Sequence, residues 1–207
     1  RDAQESRGLG DVYKRQLFTV LALEERRRNL KYLSLTDSLT NVYNRTGFDQ
    51  MLDRCLQKHP DAPCVVAELD IDDFKFINDM YGHASGDQAL QNLTSGMKSF
   101  FPKGTIIGRN GGDEFCLLLP DQTIQTSQRC FQEFIEICKD FTYEGIRHPF
   151  TISLGVAEYP AQAQTRKQLM QCADTALYAV KLNGKHGYKA YDLSLIHISE
   201  PTRLLSI

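Results

Sequence analysis

The run Glu68-Leu69-Asp70-Ile71-Asp72-Asp73-Phe74-Lys75 sets several carboxylates at the close of an apolar stretch, directly before residues with helical spacing. A strand that ends this way brings oxygen ligands beside the N–H groups of a helix start. Such oxygens suit Mg²⁺ and helix N-termini suit phosphate, so the combination fits a metal-bound triphosphate. A plain turn in which Asp72 or Asp73 caps the helix is the other reading of the same residues. An EF-hand calcium loop is excluded, because Phe74 stands where that loop needs an oxygen ligand and Lys75 where it needs glycine.

A second candidate lies at Asn110-Gly111-Gly112-Asp113-Glu114. Asn-Gly-Gly-Asp between two apolar runs is a hairpin signal, because glycine supplies positive φ without steric cost. Taken alone it is a tight turn and nothing more. The adjacent carboxylates Asp113 and Glu114, opening an otherwise apolar strand, go beyond turn chemistry. Charge beside a core is costly unless it is paired, and a cation is the natural partner. Asp70 and Glu114 at the ends of neighbouring strands would form one divalent-metal site.

The elements that must position these groups are legible from periodicity. Cys64–Ile71 reads as a buried strand, Phe74–Met80 as a short helix, and Tyr81-Gly82-His83 as a break. A longer helix follows, with Leu90, Leu93, Met97 and Phe100 on one side. The apolar runs 105–109 and 114–119 flank the hairpin turn, and helix 124–141 shows Phe131, Phe134, Ile135 and Cys138. Thr151–Ala157 reads as a strand, 166–182 as a helix and Tyr188–Tyr191 as a last short strand. Upstream, Glu24–Leu35 reads as a helical connector, Thr36–Tyr43 as a turn-rich joint, and Asn44 as the N-cap of a helix with Phe48, Met51, Leu52, Cys55 and Leu56 inside. A hairpin in the middle of this order implies α+β with a mixed or antiparallel sheet.

Composition bounds the function. The 207 residues carry 24 Lys and Arg against 26 Asp and Glu, a formal charge of −2, which argues against a general nucleic-acid binder. The six cysteines form no Cys-x-x-Cys pair and read as reduced core residues of a cytoplasmic domain. The apolar run Leu17–Leu23 is too short to span a membrane, and Arg26, Arg27 and Arg28 follow it. It fits either the end of a membrane helix, so that any membrane attachment runs through sequence upstream of it, or the last strand of an upstream sensor domain.

The quoted blocks resemble the GGDEF family of diguanylate cyclases, whose signature is Gly111-Gly112-Asp113-Glu114-Phe115. Asp37-Ser38-Leu39-Thr40, Asn44-Arg45, Asp70-Ile71-Asp72-x-Phe74-Lys75-x-Ile77-Asn78-Asp79, Tyr81-Gly82-His83-x-x-Gly86-Asp87, Ser153-x-Gly155 and Ala173-Asp174-x-Ala176-Leu177-Tyr178-x-x-Lys181 match in family order. The resemblance covers about residues 33–191. It implies a ferredoxin-like palm and a cyclase that joins two GTP into cyclic di-GMP across a homodimer, with two Mg²⁺ (Mn²⁺ as substitute) per active site. It also implies an upstream sensor in cis. Residues 1–16 and 193–207 resemble translated sequencing-adapter sequence and are set outside the domain, leaving 17–35 as connector and 36–192 as the catalytic unit.

The resemblance assigns roles by position. Asp70, Glu114 and the carbonyl of Ile71 are implied as metal ligands. Asp113 is implied either to assist deprotonation of the attacking 3′-hydroxyl or to hold a second metal. Backbone amides at 72–75, with Lys181 and Lys185, are implied for phosphate. Phe74, Lys75 and His83 complete the substrate-binding set. Asn78 and Asp87 are implied as guanine readers, which suits guanine's N1–H and N2–H₂ donors and its acceptors. Their plainer roles are helix C-cap and N-cap.

Departures from the family pattern are few. Asn110 stands at the turn where relatives have an aromatic or aliphatic residue, and Asn41 replaces a glycine, as a residue tolerant of left-handed backbone can. Lys185 replaces an arginine and gives up bidentate phosphate geometry. Pro102 and Thr105 occupy the positions of the family's inhibitory Arg-x-x-Asp site, which implies no product inhibition there. The competing readings are a non-catalytic GGDEF module that receives GTP or cyclic di-GMP, and a palm-type enzyme using another nucleotide.

Overall fold

The computed structural model describes residues 18–28, 32–139, 142–143, 146–147 and 150–197. Its elements run β1 (Tyr43–Asn44), α1 (Arg45–Lys58), β2 (Cys64–Ile71), α2 (Phe74–Tyr81), α3 (His83–Phe100), β3 (Ile106–Gly111), β4 (Glu114–Pro120), α4 (Ile124–Cys138), β5 (Thr142–Tyr143), β6 (Ile146–Arg147), β7 (Ile152–Tyr159), α5 (Arg166–Leu182) and β8 (Gly187–Ala190). A 3₁₀ turn, Leu193–His197, closes the described chain.

One six-stranded sheet has the order β1-β3-β4-β2-β7-β8. The inner pairs β3–β4, β4–β2 and β2–β7 are antiparallel, and the outer pairs β1–β3 and β7–β8 are parallel. The central four strands with their helices form the split βαβ arrangement expected of a ferredoxin-like palm. β2 lies in the middle because every residue from Cys64 to Ala67 is buried and can pack on both sides.

Alternation along β2 divides the core. Val65, Ala67, Leu69 and Ile71 join Leu90, Leu93 and Met97 of α3 and Phe131 and Phe134 of α4. Cys64 and Val66 point to the opposite face, with Phe48 and Leu52 of α1 and Leu169 and Ala173 of α5. Asp70 shares the parity of Cys64 and Val66, so it belongs to the α1/α5 face at the sheet's end.

Most of the expected elements stand where periodicity puts them, with differences at their ends. α4 closes at Cys138, three residues earlier than expected, and residues 140–141 lie outside the description. β8 starts one residue early, and the joint 36–43 runs into a two-residue strand, β1, too short for periodicity to reveal. Asn41 has φ 52°, the left-handed backbone its sequence position implied. Asn44 caps α1, its side chain accepting from the Gly47 amide at 2.9 Å. Residues 18–28 are helical, which replaces the alternative of a final sensor strand. Among the described residues no helix is long and apolar enough to cross a membrane. All six cysteines are free thiols. The segments 1–16 and 198–207 lie outside the description; within 193–197, Leu195 is 2% exposed and packs with Ala176 and Ala179 of α5.

Candidate active site

The β2–β4 register sets Asp70 directly opposite Glu114, with Leu69 opposite Phe115 on the other face. Directly opposed residues of an antiparallel pair have Cβ atoms roughly 5 Å apart, so the two carboxylates project side by side. Asp113 immediately precedes Glu114, in the turn made by Gly111 (φ 135°) and Gly112 (φ 56°). A register shift between Arg109 and Gly111 bends the strand into that turn. Asn110 therefore belongs to the bulge in β3 rather than to the turn itself, and its side-chain amide donates to Cys116 Sγ at 2.9 Å.

The three acids share one electrostatic field. Burial pushes Asp70 above the ordinary aspartate range; the Lys181 ammonium pulls it down, and Asp113 and Glu114 push it further up. Burial likewise raises Asp113, opposed by its own backbone amide and by Lys181 and reinforced by Glu114. Clustered carboxylates that raise each other's cost of ionisation are relieved by a cation among them.

The donor chemistry fits Mg²⁺. Among the described residues no set of three or more His, Cys, Asp or Glu side chains is gathered as a ready-made metal cage. Mg²⁺ does not ask for one, since it is held by one or two carboxylates together with substrate phosphates. Asp70 and Glu114 supply that pair; Ile71, fully buried at the strand's end, follows Asp70 in the chain. On the same face, a cleft of about 660 Å³ runs between Glu114, Glu68 and Asn110 on the sheet and Asp174, Tyr178 and Lys181 on α5.

The residues implied for the base form a separate group. Gly82, φ 85°, is at once the C-cap of α2 and the N-cap of α3, and no side chain caps either end there. Asn78 and Asp87 thus lie inside their helices and cap nothing, so the capping alternative is not realised. The Asn78 amide oxygen rests where a β-carbon on residue 86 would stand, 2.0 Å from that point, with the Phe74 ring beside it. This puts Asn78 against the turn of α3 that carries Asp87. Asn78 and Phe74 are half-buried, while Lys75, His83 and Asp87 are exposed along the rim.

The two lysines implied for phosphate converge on the β2–α2 turn. Lys181 Nζ lies 2.7 Å from Asp70 Oδ2, and Lys185 Nζ lies 2.5 Å from Asp73 Oδ1. Asp73 is the N-cap of α2 by position, but its side chain makes no capping bond. Of the amides at 72–75, that of Asp72 is committed to the Thr151 carbonyl at 2.8 Å, which removes it from the implied phosphate set.

Asp72 itself has a role that local reasoning missed. It is 6% exposed and turns inward, accepting from Thr151 Oγ1 and Ser153 Oγ at 2.7 Å each and from the His186 amide at 3.0 Å. One carboxylate therefore fastens the end of β2 to β7 and to the segment that delivers Lys185. Asp72→Ala leaves three donors without their acceptor and is expected to cost on the order of 3 kcal/mol. A urea midpoint equal to wild type would contradict the anchoring role.

Arg109 was also not singled out. Its Nε and Nη2 donate to the Gly112 carbonyl at 3.0 and 2.7 Å, and its Nη1 donates to Asp37 Oδ1 at 3.0 Å. Thr40 adds its amide and hydroxyl to the same Asp37 oxygen, at 2.9 and 2.6 Å. The signature turn is thereby tied to the joint that precedes α1. Burial raises the Asp37 carboxyl, but the Thr40 bonds and the Arg109 guanidinium outweigh it, and Asp37 titrates below its ordinary value. A folded value below the unfolded one gives stability that is complete above about pH 4 and is lost as pH falls through the lowered value. Denaturation of wild type and Asp37→Asn across pH should show curves that separate near neutrality and converge in acid; parallel curves would refute the linkage.

Residues 34–187 match the family model described as diguanylate cyclase, GGDEF domain. The chain is 33% identical over 178 residues to the bifunctional diguanylate cyclase/cyclic di-GMP phosphodiesterase MucR of Pseudomonas aeruginosa, covering 84% of this chain and 26% of that protein. It is also 33% identical over 181 residues to the probable diguanylate cyclase DgcC of Escherichia coli K12, covering 81% and 46%. The chain thus spans less than half the length of either relative. Among solved structures, the coiled coil and GGDEF domain of DgcB from Caulobacter crescentus in complex with c-di-GMP superposes with a TM-score of 0.78 at 28% identity, covering 88% of this chain and 98% of that one.

Proposed function

Because the chain belongs to the diguanylate cyclase, GGDEF domain family, we propose that it condenses two GTP molecules into cyclic di-GMP and releases pyrophosphate. The observation that carries this reading is the register of Asp70 opposite Glu114, one residue past the turn that holds Asp113.

In this reading Asp70 and Glu114, with the Ile71 carbonyl, hold Mg²⁺. When bound, such cations neutralise charge on the attacking and leaving oxygens of an in-line displacement at phosphorus. Asp113, held above the ordinary aspartate range by burial, accepts the proton of the 3′-hydroxyl. The 3′-oxygen bonds to the α-phosphorus of the second GTP as the bond to pyrophosphate breaks, and the same step in the other direction closes the ring. Lys181 and Lys185 take the triphosphate. Asn78 and Asp87 read guanine across the α2–α3 elbow, with Phe74, Lys75 and His83 around it. Each copy binds one nucleotide, so two copies meet about a two-fold axis. The connector, helical over 18–28 and again over 32–35, leads from this cytoplasmic unit toward an upstream sensing domain.

The test is direct. The purified chain, forcibly dimerised and supplied with Mg²⁺, should convert GTP but not ATP to cyclic dinucleotide and pyrophosphate. Equal turnover of ATP would remove the guanine assignment. Absence of product together with binding of GTP or cyclic di-GMP would make the module a receptor.

A further inference from the structure

Both lysines assigned to the triphosphate already hold carboxylates, and the two carboxylates differ in kind. Asp73 is two-thirds exposed at the start of α2, so its pair with Lys185 is a solvated contact. The Asp70 side chain is only 11% exposed, faces Glu114, and is the carboxylate to which a divalent cation is assigned. Lys181 Nζ occupies its Oδ2 at 2.7 Å.

Resting on the assignment above, we propose that Lys181 is a resident counter-ion for Asp70. A bare divalent cation must displace it, whereas a cation–triphosphate complex gives it a new partner. The physical case is a balance of charges at close range. Asp70 is largely buried beside Asp113 and Glu114, and the lysine ammonium offsets the cost of its charge in the protein without nucleotide. A bare cation arriving at Asp70 loses this oxygen to the ammonium or faces a positive charge a few ångströms away. A nucleotide brings phosphate oxygens that accept the same ammonium, so the repulsion is replaced by attraction. Only the side chain need move. α5 is seated on the sheet at Gly155, where its Ala173 and Leu177 backbone abuts β7, and a lysine's four-carbon stem swings freely from a fixed backbone. Cation and nucleotide therefore bind with positive coupling, and empty sites stay free of metal.

Binding of Mn²⁺ alone, measured on the nucleotide-free chain from the spin-resonance signal of the free ion, tests this. Lys181→Gln should bind Mn²⁺ about tenfold more tightly than wild type, since a unit charge within about 4 Å has been removed. The same variant should bind GTP in the presence of Mn²⁺ more weakly. Loss of structure would weaken both, so the opposite signs report the exchange itself. Lys181→Met should behave alike and serves if the glutamine variant does not fold. Lys185→Gln should weaken GTP while leaving Mn²⁺ affinity within about twofold of wild type, because Asp73 shields its charge locally. Unchanged or weaker Mn²⁺ binding by Lys181→Gln overturns the inference, as does equal tightening by Lys185→Gln. Glu114→Gln separates the two levels: if it leaves Mn²⁺ binding untouched, the metal assignment itself has failed. If it weakens Mn²⁺ while Lys181→Gln does not tighten it, only the counter-ion exchange is wrong.

Discussion

Glu114→Gln is expected to reduce pyrophosphate release from GTP by roughly a thousandfold while leaving the protein folded. The change keeps the side chain's shape and its place opposite Asp70, and it removes one of the two charges assigned to the cation. Metal stabilisation of charge at phosphorus is worth several kcal/mol, and each 1.36 kcal/mol is about tenfold in rate. Stability should hold or rise slightly, because Glu114 adds to the cost of ionising both Asp70 and Asp113. Turnover above about a tenth of wild type, with Mg²⁺ present, would sink the ligand assignment; a thousandfold is the scale that removing preorganised charge commonly gives.

Gly155→Ala should be the most damaging single-methyl change in the fold. A β-carbon at residue 155 would stand 2.0 Å from the Leu177 amide nitrogen and 2.2 Å from the Ala173 carbonyl oxygen. These are backbone atoms of α5, so no rotamer change relieves the clash and the helix must lift off β7. Ala173, Ala176 and Ala179 are fully buried along the same helix, which shows how closely it lies on its neighbours. Overpacking commonly costs 1–3 kcal/mol, and a clash with rigid backbone belongs at the upper end or beyond, about 3 kcal/mol or more. For a unit of this size that lowers the melting temperature by roughly 6–12 °C. Because Lys181 follows one turn after Leu177, GTP binding should weaken alongside stability. A melting temperature within about 2 °C of wild type would refute so close a seat for α5 on β7.

What was legible in the residues follows the range of the forces involved. β2 and the β3–β4 hairpin could be placed because their signals are local: a buried run, a two-glycine turn, alternation of period two. The pairing of Asp70 with Glu114 followed from laying those two strands side by side. Asp72 and Arg109 were not recognised as anchors, because their partners are distant in the chain. Ser153 is 81 residues from Asp72, and Asp37 is 72 residues from Arg109. No periodicity links such positions. One signal was available for Asp72, since it has the same parity as Asp70 and so belongs to the sheet face that Ser153, opposite Asp70, also shares. Asn78 and Asp87 were assignable as capping groups only while the helix ends were unknown. Once Gly82 is seen to serve both ends, that role disappears.

On the roles proposed above, that shared glycine also separates selectivity from reactivity. Asn78 meets the turn of α3 that carries Asp87 through an elbow with only Gly82 between α2 and α3, whereas the acidic cluster sits at the end of the sheet. A side chain at position 82 would be strained at φ 85° and would reset the angle between the two helices without touching β2 or β4. If the proposed roles hold, substitution at position 82 shifts preference among purines and leaves the phosphorus chemistry intact.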